Sequence, residues 1–376
     1  MAEESQTIVI DNGSHMMKAG YGGDEAPRSV FRSIIGRSKY VSIVGAPLNR
    51  NLFIGDDAWD KAEILNINYP IKHGVVTNWD DMEKIWSFTF QKELRVDPTQ
   101  HPVVVIEPVK NPKSNREKMA QIMFETFNVP SFYVSIQSIV SIYSFGRDTG
   151  IVCNIGDGVS EFYPICKGFS LSHAVIRNDF AGDDVNNWLQ ELLREHGHNF
   201  TTTEEKKIVR DIKEKHSYAA LDYESELQKA KNTTDCEVQY TLPNGQSIVI
   251  SDERFRCSEL LFKPNMNGFE LDGIHKCIFN SIMKCDIGAR KHLYSSILLC
   301  GGSSMINGLP ERIYKEITNL APPTNPIKIL APPERKNSAW IGGSILASLT
   351  QFQPMLISHD QYNANGVGIV HNKCFY

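Results

Sequence analysis

A chain of 376 residues, 41% hydrophobic and 22% charged, can bury a large core and is long enough for two lobes. Its formal charge of -5 suggests no domain-wide basic face, which argues against nucleic acid as a direct partner. No apolar run approaches the ~18 residues of a membrane span, and the acidic, polar start Met1-Ala2-Glu3-Glu4-Ser5 is unlike a signal or transit peptide, so neither membrane insertion nor secretion is expected.

From the N-terminus, Thr7-Ile8-Val9-Ile10 reads as a buried strand that ends in a turn at Asp11-Asn12-Gly13-Ser14. The segments Trp79 to Arg95 and Ser114 to Phe127 carry helix-like apolar spacing, the second stopping before Pro130. Gly150-Ile151-Val152-Cys153 reads as another strand, running into Asn154-Ile155-Gly156-Asp157-Gly158. The two strand-to-glycine turns look like one device used twice, which suggests duplicated lobes with a nucleotide between them. Thr202 to Ala220 opens on a capping signature and reads as a helix, whereas Lys229 to Glu237 and Asn244 to Gln246 read as exposed loops or turns. Strands alternate with helices throughout, so the fold class is α/β.

The eight cysteines (Cys153, Cys166, Cys236, Cys257, Cys277, Cys285, Cys300 and Cys374) are scattered, with no CxxC pair and no clustered zinc spacing. Reduced, mostly buried thiols of a cytosolic or nuclear protein are expected. Cys374, near the end, is the one expected at the surface.

Across nearly the whole chain the sequence resembles the actin family. The closest runs are Tyr69 to Trp86, Asn115 to Phe127, Phe200 to Lys215, Ser281 to Asp286, Ala331 to Ser348 and the tail Ile369 to Phe375. The resemblance implies an actin-like ATPase fold: two duplicated ribonuclease-H-like lobes, four subdomains in all, around a nucleotide cleft. The implied subdomains are 1–32, 70–144 and 338–376; 33–69; 145–180 and 270–337; and 181–269.

A phosphate chain needs backbone donors that can approach closely, and glycine turns supply them. Gly13, Ser14, His15 and Met16 in one turn, and Gly156, Asp157, Gly158 and Val159 in the other, fit that need, with Lys18 adding a point charge. By resemblance, Gly182 also lies at the ATP or ADP, Arg210, Lys213 and Glu214 hold one side of base and ribose, and Gly301, Gly302, Ser303, Met305 and Lys336 close the other. Without the resemblance, Arg210 to Lys215 reads as a solvated helical face with i,i+4 ion pairs. Ile306 and Asn337 stand where the family has tyrosines near the base.

The family holds Mg2+ beneath the phosphates, and Asp11 and Gln137 match its positions. Asn154 departs from a family aspartate, which removes a full charge from a hard-cation site. Glu161 departs from a family histidine that orients or deprotonates the attacking water. With Gln137, these two form the expected catalytic set. His15 replaces a glycine and would be strained if that position needs positive φ. ATP is therefore expected to bind and to be hydrolysed slowly or not at all. Lys72 and Asp183 exchange the signs of a family pair, which would keep attraction across the lobes.

The family's filament loop corresponds to Tyr40 through Asn51, stiffened here by Pro47. Tyr133, Tyr143, Ile345, Leu346, Leu349, Met355 and Leu356 could line the cleft that actin-binding proteins use, although such a stripe is also ordinary core. His73 sits in the context that the family methylates. One reading is a cytoplasmic, cytoskeletal actin that polymerises with itself or with conventional actin. A second is a non-polymerising subunit of a multiprotein assembly, such as an axonemal dynein arm, a dynactin-like filament or a nuclear chromatin-remodelling complex. A third, a small-molecule kinase, lacks an evident acceptor-activating base.

Overall fold

The computed structural model describes residues 5–39 and 52–374. The expected filament loop at Tyr40 to Asn51 lies outside these residues, as do Glu3 and Glu4. The chain forms two units, one of Met1–Asp148, Lys167–Ser172 and Asn337–Tyr376, the other of Thr149–Cys166 and His173–Lys336.

In the first unit the apolar runs Ile8–Asn12 and Val103–Glu107 are buried along their whole length, as central strands covered on both faces must be. They pair in parallel, and Val103–Glu107 pairs in parallel with Ser131–Ile136. On the other side Ile8–Asn12 turns back through an antiparallel hairpin to Met16–Tyr21, which pairs with Ser29–Arg32. Helices Gln137–Ser144 and Ser338–Ser348 pack against each other, with the backbone at Gly342 so near Val140 that an added Cβ would lie 1.7 Å from the Val140 carbonyl. Trp340 is fully buried and donates its indole N–H to the Val9 carbonyl at 3.0 Å, tying that helix to the first strand.

The second unit repeats this plan. Gly150–Ile155, buried throughout, pairs in parallel with Ile297–Cys300 and antiparallel with Ser160–Cys166. Outside these, Ile329–Leu330 continues the parallel side and Ile176–Asn178 the antiparallel side. Two sheets of like topology, each with helices, show the expected α/β class and its duplicated plan. Among the described residues no helix is long and apolar enough to cross a membrane.

Several boundaries differ from the sequence reading. Asp11 and Asn12 belong to the first strand, and Asn154 and Ile155 to its counterpart, so the turns begin at the glycines. The helix expected over Thr202 to Ala220 spans Thr203–His216, with the capping box formed by Thr202 and Glu205. It stops there because the Ser217 hydroxyl bonds back to the Lys213 carbonyl, and Tyr218 gives its N–H to Arg254. Lys229 to Asn232 are helical, not loop, because Asp222 caps a helix over Tyr223–Asn232 by accepting the Ser225 N–H at 3.1 Å. Asn244 to Gln246 do form the turn between Val238–Thr241 and Ser247–Ile250. Seven cysteines are buried and Cys166 is partly so. Cys374 is 1% exposed, contrary to expectation, because the tail folds in: its sulfur accepts the Val134 N–H and its carbonyl accepts Arg116.

Candidate functional site

In the first unit, antiparallel register sets Asp11 opposite Lys18. Their charges meet at 2.7 Å, and the other Asp11 oxygen accepts the Gln137 amide at 2.8 Å. Gln137 is placed there because the chain passes from strand Ser131–Ile136 straight into helix Gln137–Ser144. Asp11 itself is 1% exposed. A buried carboxylate and a neighbouring side-chain amide are donor types that suit Mg2+.

The turn between these strands is clamped from both sides. Ser33 donates to the Gly13 carbonyl at 2.7 Å, and the Ser14 hydroxyl accepts the Gly74 N–H at 2.8 Å. A Cβ at Gly13 would lie 2.4 Å from the Met16 carbonyl, so no larger residue fits this turn. His15 shows no positive φ, which removes the expected strain. Its ring meets Trp59 edge-on at 6.3 Å between centroids. The Ser33 and Gly74 clamps were not foreseen, since sequence separations of 20 and 60 leave no local signal.

The second unit carries the matching hairpin. Register sets Asn154 opposite Glu161, and Glu161 is in turn opposite Arg177. Glu161 is fully buried and Asn154 8% exposed. The turn closes with the Gly156 N–H on the Val159 carbonyl at 2.9 Å, and Gly158 and Val159 are buried within it. Ser303 donates to the Gly156 carbonyl at 2.6 Å, and Gly182 approaches so closely that a Cβ there would strike the Ser303 hydroxyl. Gly301 holds φ at 86°, and its Cβ would sit 2.4 Å from the Ile155 carbonyl and 2.7 Å from the Asn154 amide oxygen. Gly302, by contrast, faces open space. Glycine is required around this turn for close backbone approach, the arrangement a phosphate cradle needs.

Two cations of helix Thr203–His216 turn toward it. Arg210 bonds Asp157 at 2.7 Å and reaches Asp183 at 3.4 Å. Lys213 is buried and donates to the Gly182 carbonyl at 3.2 Å; burial, then the neighbouring Arg210, pull its ammonium below the ordinary range. Lys215 and Asp211, on the outer face, form the i,i+4 pair of a solvated helix at 2.8 Å. The segment therefore turns one face toward the Gly156 turn and keeps the other solvated. Glu214, Lys336 and Met305 are exposed.

Of the expected docking stripe, Tyr143, Ile345, Leu349 and Met355 are exposed in the first unit. Tyr133 and Leu356 are core instead, Tyr133 meeting Phe352 edge-on at 5.0 Å. A family model described as Actin matches residues 2–375 of the chain.

Proposed function

Because this chain belongs to the actin family, we propose that it is an ATP-binding cytoskeletal protein that forms or joins actin-type filaments and hydrolyses its nucleotide slowly or not at all. The observation that carries the second half is the opposition of Asn154 and Glu161 across one hairpin. Phosphoanhydride hydrolysis rests on positioning and electrostatics. A buried carboxylate at Glu161 adds negative charge beside phosphates that are already anionic. It also replaces the neutral group that would orient or deprotonate water. Loss of such a tuned acid–base group costs about 10²–10⁴ in rate.

Binding draws on other residues as well. The glycine cradles around Gly13 and Gly156, with Lys18, Arg210 and Lys213, support retention of the phosphates. Asp11 and Gln137 would hold Mg2+, which supplies charge neutralisation at phosphate oxygens when bound. Asn154 keeps the shape of a third position without its charge. The exposed Tyr143, Ile345, Leu349 and Met355 offer an apolar surface to actin-binding proteins.

Native mass spectrometry of the purified protein, followed by single-turnover phosphate release and salt-induced pelleting, tests the reading. Expected are one bound nucleotide, phosphate release far slower than that of ordinary actin, and reversible pelleting alone or with actin. Folded protein that is empty and indifferent to ATP and Mg2+ would overturn it. Nucleotide-bound protein that never pellets would point to a fixed subunit of a larger assembly.

A further inference from the structure

At the end of helix Gly182–Glu195 the chain places His196, and at the start of helix Glu253–Glu259 it places Asp252 and Glu253. The imidazole Nε2 lies 3.4 Å from Asp252 Oδ1 and 3.8 Å from Glu253 Oε2. One donor atom from each residue falls within 4.8 Å of the other two. A tetrahedral ion with bonds of about 2.0 Å separates its ligands by about 3.3 Å, so these three atoms need to move little to share one.

The carboxylate of Glu253 is the unusual member. Its side chain is 1% exposed, yet neither oxygen receives an aligned hydrogen bond. Asp252 Oδ1 is also buried and has no aligned donor: the imidazole stands 3.4 Å away, and Arg256 engages the other oxygen at 3.4 Å. Buried acceptors of this kind are rare and costly unless something occupies them. Arg256 further binds Glu195 at 3.1 Å, so one guanidinium is shared between the Asp252 and Glu195 carboxylates. His196 is 44% exposed at its side chain, which leaves an entry path from solvent.

We propose that His196, Asp252 and Glu253 form a divalent transition-metal site, of one imidazole nitrogen and two carboxylate oxygens, that clips the two helices of the second unit together. Mixed nitrogen and oxygen donors favour Zn2+ over Mg2+ or Ca2+, which take oxygen alone. The fourth position belongs to water. The site contains no residue assigned to nucleotide or its magnesium.

The test titrates Zn2+ alone into the full-length protein, desalted with its nucleotide bound and kept in excess Mg2+. Calorimetry follows binding, and Co2+ serves as a coloured replacement. Wild type is expected to bind one equivalent that His196→Gln, Asp252→Asn and Glu253→Gln each weaken by more than about a hundredfold, a ligand mattering at least as much as the residues that merely orient one. The Co2+ protein should show a tetrahedral visible band without sulfur-to-metal charge transfer, which separates this site from the thiols. Because His196 is exposed, His196→Gln keeps the test decisive even if the buried change unfolds the protein. Equal Zn2+ stoichiometry and affinity in wild type and His196→Gln, or no binding by wild type, would overturn the proposal.

Discussion

Asn154 stands directly opposite Glu161 in the second-unit hairpin, at the positions that Asp11 and Lys18 occupy in the first. Each pair flanks its turn glycine identically, Gly13 in one case and Gly156 in the other. One pair is a carboxylate against an ammonium; the other is an amide against a carboxylate. Measured against the aspartate and histidine that the resemblance implies there, the hairpin still carries one negative charge, moved across the ladder. Either departure alone would change the formal charge of this buried cross-strand pair.

That coupling can be measured. Asn154→Asp alone sets two carboxylates face to face, where like charges destabilise. Asn154→Asp with Glu161→His should recover most of the loss, with a coupling energy of about 0.5–3 kcal/mol in a chemical-denaturation cycle at saturating nucleotide. The double variant should also release phosphate faster by about 10²-fold or more. Additive single effects would show that the two positions drifted independently.

Features set by neighbouring residues were legible in the sequence. The Thr202 cap and the glycine turns are examples, since their hydrogen bonds close within a few residues. Register was not: nothing local says that Asn154 faces Glu161, or that Ser33 and Gly74 clamp the first turn. Composition misled where a polar stretch is helical, as at Lys229 to Asn232, because Asp222 caps it and the helix buries no residue. At Tyr133 and Leu356 apolar character suits a docking surface and a core equally well, and both are core.

The tail makes a chemical prediction. Cys374 is enclosed, and burial pushes its thiol up to about 12. Its thiolate is therefore scarce at neutral pH. Under native conditions a thiol reagent should modify the partly exposed Cys166 first and leave Cys374 protected until unfolding. Peptide mapping after brief alkylation checks this, and early loss of the Cys374 peptide would mean that the tail is not docked.

Gly342 fixes how closely helix Ser338–Ser348 approaches the helix that begins at Gln137. Since an added Cβ would lie 1.7 Å from the Val140 carbonyl, Gly342→Ala must part the helices, at a cost of about 1–3 kcal/mol or more. Gly288→Ala meets nothing within 4 Å and should leave stability unchanged or slightly raised by helix propensity. The denaturation midpoint of Gly342→Ala should fall, and that of Gly288→Ala should hold or rise slightly. A silent Gly342→Ala would contradict the close approach.

Acid should weaken the second unit through His275. This residue is 9% exposed, and its ring lies 5.7 Å from that of Phe262. Burial lowers its pKa from the ordinary 6.5; Glu316 and Asp272 oppose the shift, while Lys276 and Arg312 reinforce it. Between the folded and unfolded values the unfolded chain binds more protons, so stability rises with pH there. It is intact above about 6.5 and is lost progressively as pH falls toward the depressed folded value. His275→Gln should therefore flatten the fall of the thermal midpoint below pH 6.5. His216, also lowered by burial first, should leave a residual slope. An unaltered slope in His275→Gln would mean that the buried imidazole accepts its proton as readily as the unfolded one does.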